Sequence, residues 1–258
     1  MVELSIEHDG PVALVTLDRP PVNALASSTY RSLREAFERI AADPTAVVVL
    51  VRSASARAFC AGADVTELSQ LTGADARAAD ERRQVLARTV FDRLLTLPQP
   101  TIAVLDGPAI GAGAVIASCC DLRVGSRRTS FQLPEVTVGR CGGARHLMRH
   151  LPQSVVRRMY FTADRLSAEE AAQLGFLDLT DDDTTPDGAA LALARRIATN
   201  SPLALRLGKE AINAAEALPV SEGYAVEQQY TLRLARSGDA REALAARREG
   251  RTPRYTGT

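Results

Sequence analysis

The 258-residue chain predicts an α/β domain carrying a helical C-terminal extension. Three observations predict it. Over the first ~170 residues, β-type apolar runs alternate with stretches of helical spacing. Two of the runs, "AVVVLVRS" and "TIAVLDG", are continuously apolar, the pattern of strands covered on both faces. After the polar, acidic stretch 179–188, "LTDDDTTPDG", every segment has helical character.

In order, Val2 to Glu7 and Val12 to Leu17 flank "HDGP", a turn signature, so the chain opens with a hairpin. Tyr30, Leu33, Phe37 and Ile40 then fall at helical spacing behind Ser27 and Ser28, the available caps. "AVVVLVRS" is the first buried strand. A long charged amphipathic helix runs from about Asp75 to Leu97 and ends at "PQP". "TIAVLDG" is the next buried strand, followed by a Gly-x-Gly turn, a helix, and the strand "LRVGS". The segments "PDGAALALARRIATN", "SPLALRLGKEAINAA" and "SEGYAVEQQYTLRLARSG" supply the helical tail.

Composition narrows the function. Aromatic residues make up 4% with no Trp, so the core is built from Ala, Val, Leu and Ile. Lys plus Arg equals Asp plus Glu at 31 each, which gives no global reason to expect nucleic acid or an anionic membrane as partner. Lys209 is the sole lysine. Cys60, Cys119, Cys120 and Cys141 form no C-x-x-C pair and have no ligand-spaced His, so no metal site is expected. Free thiols, an N-terminus without a signal pattern and the lack of any run of ~18 apolar residues lead to the expectation of a cytoplasmic protein.

Two glycine-rich stretches carry the chemistry. "DGPAIGAGAVIASCCDL" follows a strand and opens a helix, as a dinucleotide loop does. The fingerprint G-x-G-x-x-G needs Gly or Ala at 116, where Ile116 stands, and an acid about 20 residues on, where Asp121 comes too early. In "RAFCAGADVTEL", small residues surround Ala63 just before Asp64, which can cap the following helix. Two such turns facing each other, at Ala63 and Ala112, present two backbone N–H groups to one point, the arrangement of an oxyanion hole.

"LDRPPVNAL", "RAFCAGADVTEL", "DGPAIGAGAVIASCCDLRV", "FQLPEVTVG" and "SGDAREALAARREGRTPRY" occur in the order and spacing of the crotonase family, the enoyl-CoA hydratase/isomerase superfamily, which the chain resembles from about residue 3 to residue 255. The resemblance implies a spiral of ββα turns over residues 1–195 and a helical oligomerisation region over 196–258, assembled as a homotrimer or homohexamer. It implies a coenzyme A thioester as substrate and no tightly bound cofactor. Carried over residue by residue, the oxyanion donors fall on Ala63 and Ala112, and the thioester runs along Ala61, Gly62, Asp64, Gly111 and Pro134. Arg19, Arg57, and Arg248 or Arg251 from a neighbouring copy are the expected partners of the coenzyme's phosphates.

The family's hydratases use two glutamates. Here the second is Glu135, in "QLPEV", and the first position holds Val115, which can neither hold nor deprotonate water. The pattern resembles the family's single-glutamate Δ3,Δ2-enoyl-CoA isomerases. The Asp that the dienoyl isomerases carry eight residues after the glutamate is replaced by Gly143. The segment 139–147 is shorter than in relatives, so Arg140, Cys141 and His146 are further candidates to approach the substrate. Other crotonase-type reactions remain open at this stage, namely acyl-CoA hydrolysis, decarboxylation or C–C cleavage, as does acyl-CoA binding without catalysis.

Overall fold

The computed structural model describes residues 3–70 and 72–258. Val2, expected to open the first strand, lies outside the described residues. The hairpin is β1 (Leu4–Asp9) and β2 (Val12–Leu17), antiparallel, with Leu4 opposite Leu17. The chain continues through α1 (Ser27–Ala41), β3 (Val48–Ser53), α2 (Val65–Ser69), α3 (Ala76–Leu95), β4 (Thr101–Leu105), β5 (Pro108–Ile110) and α4 (Ala112–Cys119). It then forms β6 (Leu122–Gly125), β7 (Ser130–Gln132), a 3₁₀ turn at Glu135–Val138, α5 (Ala144–Leu147), α6 (Gln153–Thr162), β8 (Arg165–Ser167), α7 (Ala168–Gln173) and β9 (Asp178–Leu179). Four helices follow: α8 (Pro186–Ile197), α9 (Pro202–Ala215), α10 (Val220–Leu234) and α11 (Gly238–Glu249).

The larger sheet has the order β1-β2-β3-β4-β6-β9 and is parallel from β2 onward. The alternation of side chains along its central strands accounts for their unbroken apolarity. Val49, Val51, Ala103 and Leu105 pack into one core against α1, α3 and α4, while Val48, Leu50, Ile102 and Val104 pack into a second core against Ala190 and Ala194 of α8.

A second sheet, β5-β7-β8, is continued by isolated parallel bridges pairing Cys60 with Ala109 and Leu25 with Ala63. The chain therefore visits the large sheet, then the small one, then a helix, and repeats. β3, the bridges at Cys60 and Ala63, and α2 make one turn; β4, β5 and α4 make the next. The small sheet is not visible in the sequence, because three-residue strands are too short to show a period.

Two expectations are corrected. Ser27 and Ser28 lie inside α1 rather than capping it, and the Ser27 N–H donates to Glu67 Oε2 at 2.9 Å, so the helix N-terminus is satisfied from α2. The boundary at 195/196 falls within α8, whose buried Ala190 and Ala194 make it part of the core; the chain leaves the core after Ile197. Of the polar stretch 179–188, only 180–185 connects β9 to α8, and 186–188 form the first turn of α8. No helix among the described residues is long and apolar enough to cross a membrane.

Candidate active site

Each turn of the spiral passes from small-sheet strand to helix at one edge, and these junctions form the site. In the first, Leu25 N–H donates to Gly62 O at 2.7 Å and Asp64 N–H donates to Leu25 O at 3.0 Å. In a parallel bridge of this kind the residue between the two partners points its own N–H the other way, so the Ala63 N–H faces away from Leu25. In the second, Gly111 N–H is tied to Gln132 O at 2.8 Å, and Ala112 is the first residue of α4, with no carbonyl one turn earlier to receive its N–H. Among the described residues neither Ala63 N–H nor Ala112 N–H meets a protein acceptor.

The two turns touch. A Cβ on Gly62 would stand 2.7 Å from Ile110 O and 3.3 Å from Ala112 N, and Gly62 has φ +85. Only glycine gives both the left-handed backbone and the close approach. Asp64 fixes the first junction: its Oδ1 accepts from Thr66 N–H at 2.8 Å and Glu67 N–H at 3.3 Å, capping α2. Its Oδ2 accepts from Arg19 Nη2 at 2.6 Å. Burial opposes ionisation of Asp64, but Arg19 and the two amides outweigh it and hold the carboxyl below its usual range.

The junctions open onto a cavity of about 210 Å³ walled by α3, the 3₁₀ turn and the loop 139–143. Glu135 is the one carboxylate among its described lining residues. Its Oε2 is buried without a hydrogen-bond partner, and a Cβ on Gly111 would stand 2.8 Å from Oε1. Burial pushes the Glu135 carboxyl above the ordinary range, only partly offset by its own backbone N–H. Val115 also lines the cavity and is 3% exposed, with its Cγ2 3.0 Å from where a Cβ on Gly143 would be. An isolated carboxyl with a raised pKa beside two unpaired amide donors can take a proton from carbon while the amides hold the oxygen on which charge develops.

Ala61, Gly62, Gly111 and Pro134 line the cavity with Ala63 and Ala112, while Asp64 borders the adjoining cavity behind Ala61 and Ala63. Arg140 and Cys141 line the cavity as well; Arg140 is bound to Asp80 Oδ2 at 2.5 Å. His146 is not brought in. Its ring stands edge-on to Phe91, centroids 5.7 Å apart, and Phe91 forms the wall in its place. Burial lowers the His146 pKa, and its Nδ1 has no partner.

The expected phosphate contacts are dispersed. Arg19 is held by Glu3 at 3.2 Å, Ala24 O at 2.8 Å and Asp64 at 2.6 Å, and Arg251 is held by Glu242 at 2.6 Å and Glu249 at 2.5 Å of its own chain. Arg57 is exposed beside the first junction, and Arg248 is exposed on α11. The dinucleotide reading fails on Asp121, whose Oδ2 accepts from Thr101 N–H at 2.7 Å and pairs with Lys209 at 2.8 Å.

Sequence reasoning missed Tyr30 and Arg83, both lining the cavity. Tyr30 sits on the apolar stripe of α1 and reads as core. Arg83 carried a usable signal: with Ala87, Val90 and Leu94 it makes the buried stripe of α3, at spacings of four, three and four, where an arginine is out of place.

A family model described as enoyl-CoA hydratase/isomerase matches residues 7–258. The chain is 35% identical to the 2,3-dehydroadipyl-CoA hydratase of Escherichia coli (strain K12), over 100% of both chains. It is 31% identical to the short-chain-enoyl-CoA hydratase of Clostridium acetobutylicum, over 93% of this chain and 92% of that one. Its fold superposes on the crystal structure of an enoyl-CoA hydratase from Bacillus anthracis with a TM-score of 0.93 at 28% identity, covering 99% of this chain and 100% of the other.

Proposed function

The chain belongs to the enoyl-CoA hydratase/isomerase family, which acts on acyl-CoA thioesters, and on that premise we propose that it is a Δ3,Δ2-enoyl-CoA isomerase whose single glutamate moves the proton. The observation that carries this reading is Val115, buried and apolar in the cavity that Glu135 lines, which leaves one carboxylate among its described lining residues. A 1,3-proton shift needs one base that becomes one acid. Glu135 takes a proton from C2 of a 3-enoyl thioester; the C–H electron pair is delocalised onto the thioester oxygen as a dienolate, and that oxygen accepts hydrogen bonds donated by Ala63 N–H and Ala112 N–H. The thioester carbonyl then re-forms, the double bond moves to C2–C3, and Glu135 returns its proton at C4. Without the two donors the C2 proton is too weakly acidic for a carboxylate to remove; losing one such donor costs about 2.7–4 kcal/mol in the transition state.

The lack of any charged partner on Glu135 among the described residues supports the same reading, since a raised pKa makes its carboxylate a stronger base toward the C2 proton. For the coenzyme, Arg57 and Arg248 are the exposed guanidiniums to consider, because Arg19 and Arg251 are already held by carboxylates. No tightly bound cofactor takes part. The helices after Ile197 are read as the surface that joins copies into a homotrimer or homohexamer, supported by the exposed apolar side chains of Ile212, Val220, Tyr224 and Leu232.

Glu135→Gln keeps the shape and removes the base, and should lower isomerase turnover by roughly a hundredfold or more. Turnover within a fewfold of the parent enzyme contradicts the assignment. Hydration is the second reading, favoured by the names of the two relatives above; it requires Glu135 both to activate water and to manage the proton at C2, with no second carboxylate among the described lining residues.

A further inference from the structure

The helix α3 is crowded with charge, and most of its arginines face solvent. Arg83 does not: it is 7% exposed, on the stripe that otherwise holds Ala87, Val90 and Leu94. One turn earlier Asp80 receives it, Oδ1 accepting from Nε at 3.1 Å and Nη2 at 2.9 Å. The other Asp80 oxygen is taken by Arg140, from the loop 139–143, at 2.5 Å. Two guanidiniums thus share one carboxylate, and the cluster carries a net charge of about +1. Both arginines line the cavity while Asp80 does not. The next carboxylate, Glu67, is turned toward Ser27 N–H at 2.9 Å and is also outside the lining.

A surplus positive charge in a wall that also holds Leu68, Ala87, Phe91 and Val138 is poorly matched to a hydrocarbon chain. An alkyl tail laid against it would strip water from the guanidiniums without replacing it, and desolvating a charge that is only half neutralised is unfavourable. A carboxylate is the complementary group, since a guanidinium edge binds it through paired, charge-assisted hydrogen bonds. Arg140 stands close to Glu135 in the chain, its N–H donating to Glu135 O at 2.9 Å, but its guanidinium reaches across to Asp80 on α3.

We propose that the cavity selects acyl-CoA thioesters whose acyl chain ends in a carboxylate, bound by the guanidiniums of Arg83 and Arg140 where they line the cavity beside Asp80. The proposal rests on the reading of the cavity as an acyl-CoA site, and independently of which reaction follows. A monocarboxylic acyl chain would leave the cluster without its counter-ion. The reaction that supplies this substrate is therefore one that delivers thioesters of dicarboxylic acids.

The test is calorimetric titration of the full-length protein with saturated acyl-CoA thioesters of matched chain lengths, one series ending in methyl and the other in carboxylate. Saturated thioesters bind without turnover, so the result does not depend on the isomerase assignment. At the best length the carboxylate series should bind at least about tenfold more tightly, the worth of one hydrogen-bonded charge contact. Arg83→Met should abolish that preference. Arg140→Gln, in a half-exposed loop where folding is not at risk, should weaken the carboxylate series at least about fivefold more than the methyl series. Equal or tighter binding of the methyl series at every length overturns the proposal, as does equal weakening of both series by Arg140→Gln. Failure of both series to bind overturns it together with the acyl-CoA reading.

Discussion

At position 135 a carboxyl group is held out of water with one oxygen lacking any partner among the described residues, an arrangement that weakens the fold and suits a base. Because burial raises its pKa, ionised Glu135 is disfavoured in the folded state relative to the unfolded one. Its contribution to stability is therefore full below the unfolded carboxyl pKa and is lost as pH rises through the folded value. Glu135→Gln should melt higher than the parent at neutral pH, with the gain vanishing in acid; a melting temperature unchanged at both contradicts the burial account. In the parent enzyme the acid limb of kcat/KM should lie above the ordinary glutamate pKa of about 4.3, the rate falling as Glu135 takes up its proton. That Glu135, Ala63 and Ala112 come together at one cavity was legible because each sits in a glycine- or proline-marked motif. Arg83 and Tyr30 were not, since their roles depend on which helix faces meet across the cavity, and that is decided by the spiral and not by local sequence.

The elements that meet at the cavity are junctions, and glycines set how closely they approach. Gly111 has φ +52, and a Cβ there meets only the mobile end of Glu135, 2.8 Å from Oε1. Gly111→Ala should therefore cost about 1–3 kcal/mol of stability for the forced backbone and should depress turnover further by displacing the base. Gly113 is different, since its Cβ would stand 2.3 Å from Cys60 O, a backbone atom of the neighbouring turn. Gly113→Ala must push two turns of the spiral apart, and denaturant unfolding should show it to be the more destabilising of the two. The reverse order contradicts the packing of the junctions. The Gly-x-Gly pattern announced the turn, whereas the three-residue strands that place it and the capping of α1 by Glu67 depend on contacts distant in sequence.

Across the whole molecule, the chain's only lysine joins the helical extension to the core. Lys209 is 7% exposed and binds Gln99 O at 3.1 Å and Asp121 at 2.8 Å. The extension beyond it leaves Val220 at 90% and Leu232 at 66% exposure, side chains that a lone copy would present to water. Analytical ultracentrifugation should find a trimer or hexamer. Val220→Glu combined with Leu232→Glu should shift it toward monomer; a monomeric parent protein contradicts this reading. The α/β order and the helical tail were legible from periodicity, but the 195/196 boundary missed the end of α8 because Ala190 and Ala194 look alike whether a helix covers a sheet or stands apart.

The central claim, a single-glutamate isomerase, is tested most directly by following the conjugated-thioester absorbance of the purified protein with a 3-enoyl-CoA and, separately, with a 2-enoyl-CoA, in methyl- and carboxylate-terminated forms. The account predicts rising absorbance with the 3-enoyl substrate and little change with the 2-enoyl one. Falling absorbance with the 2-enoyl substrate, which reports addition of water, would contradict it.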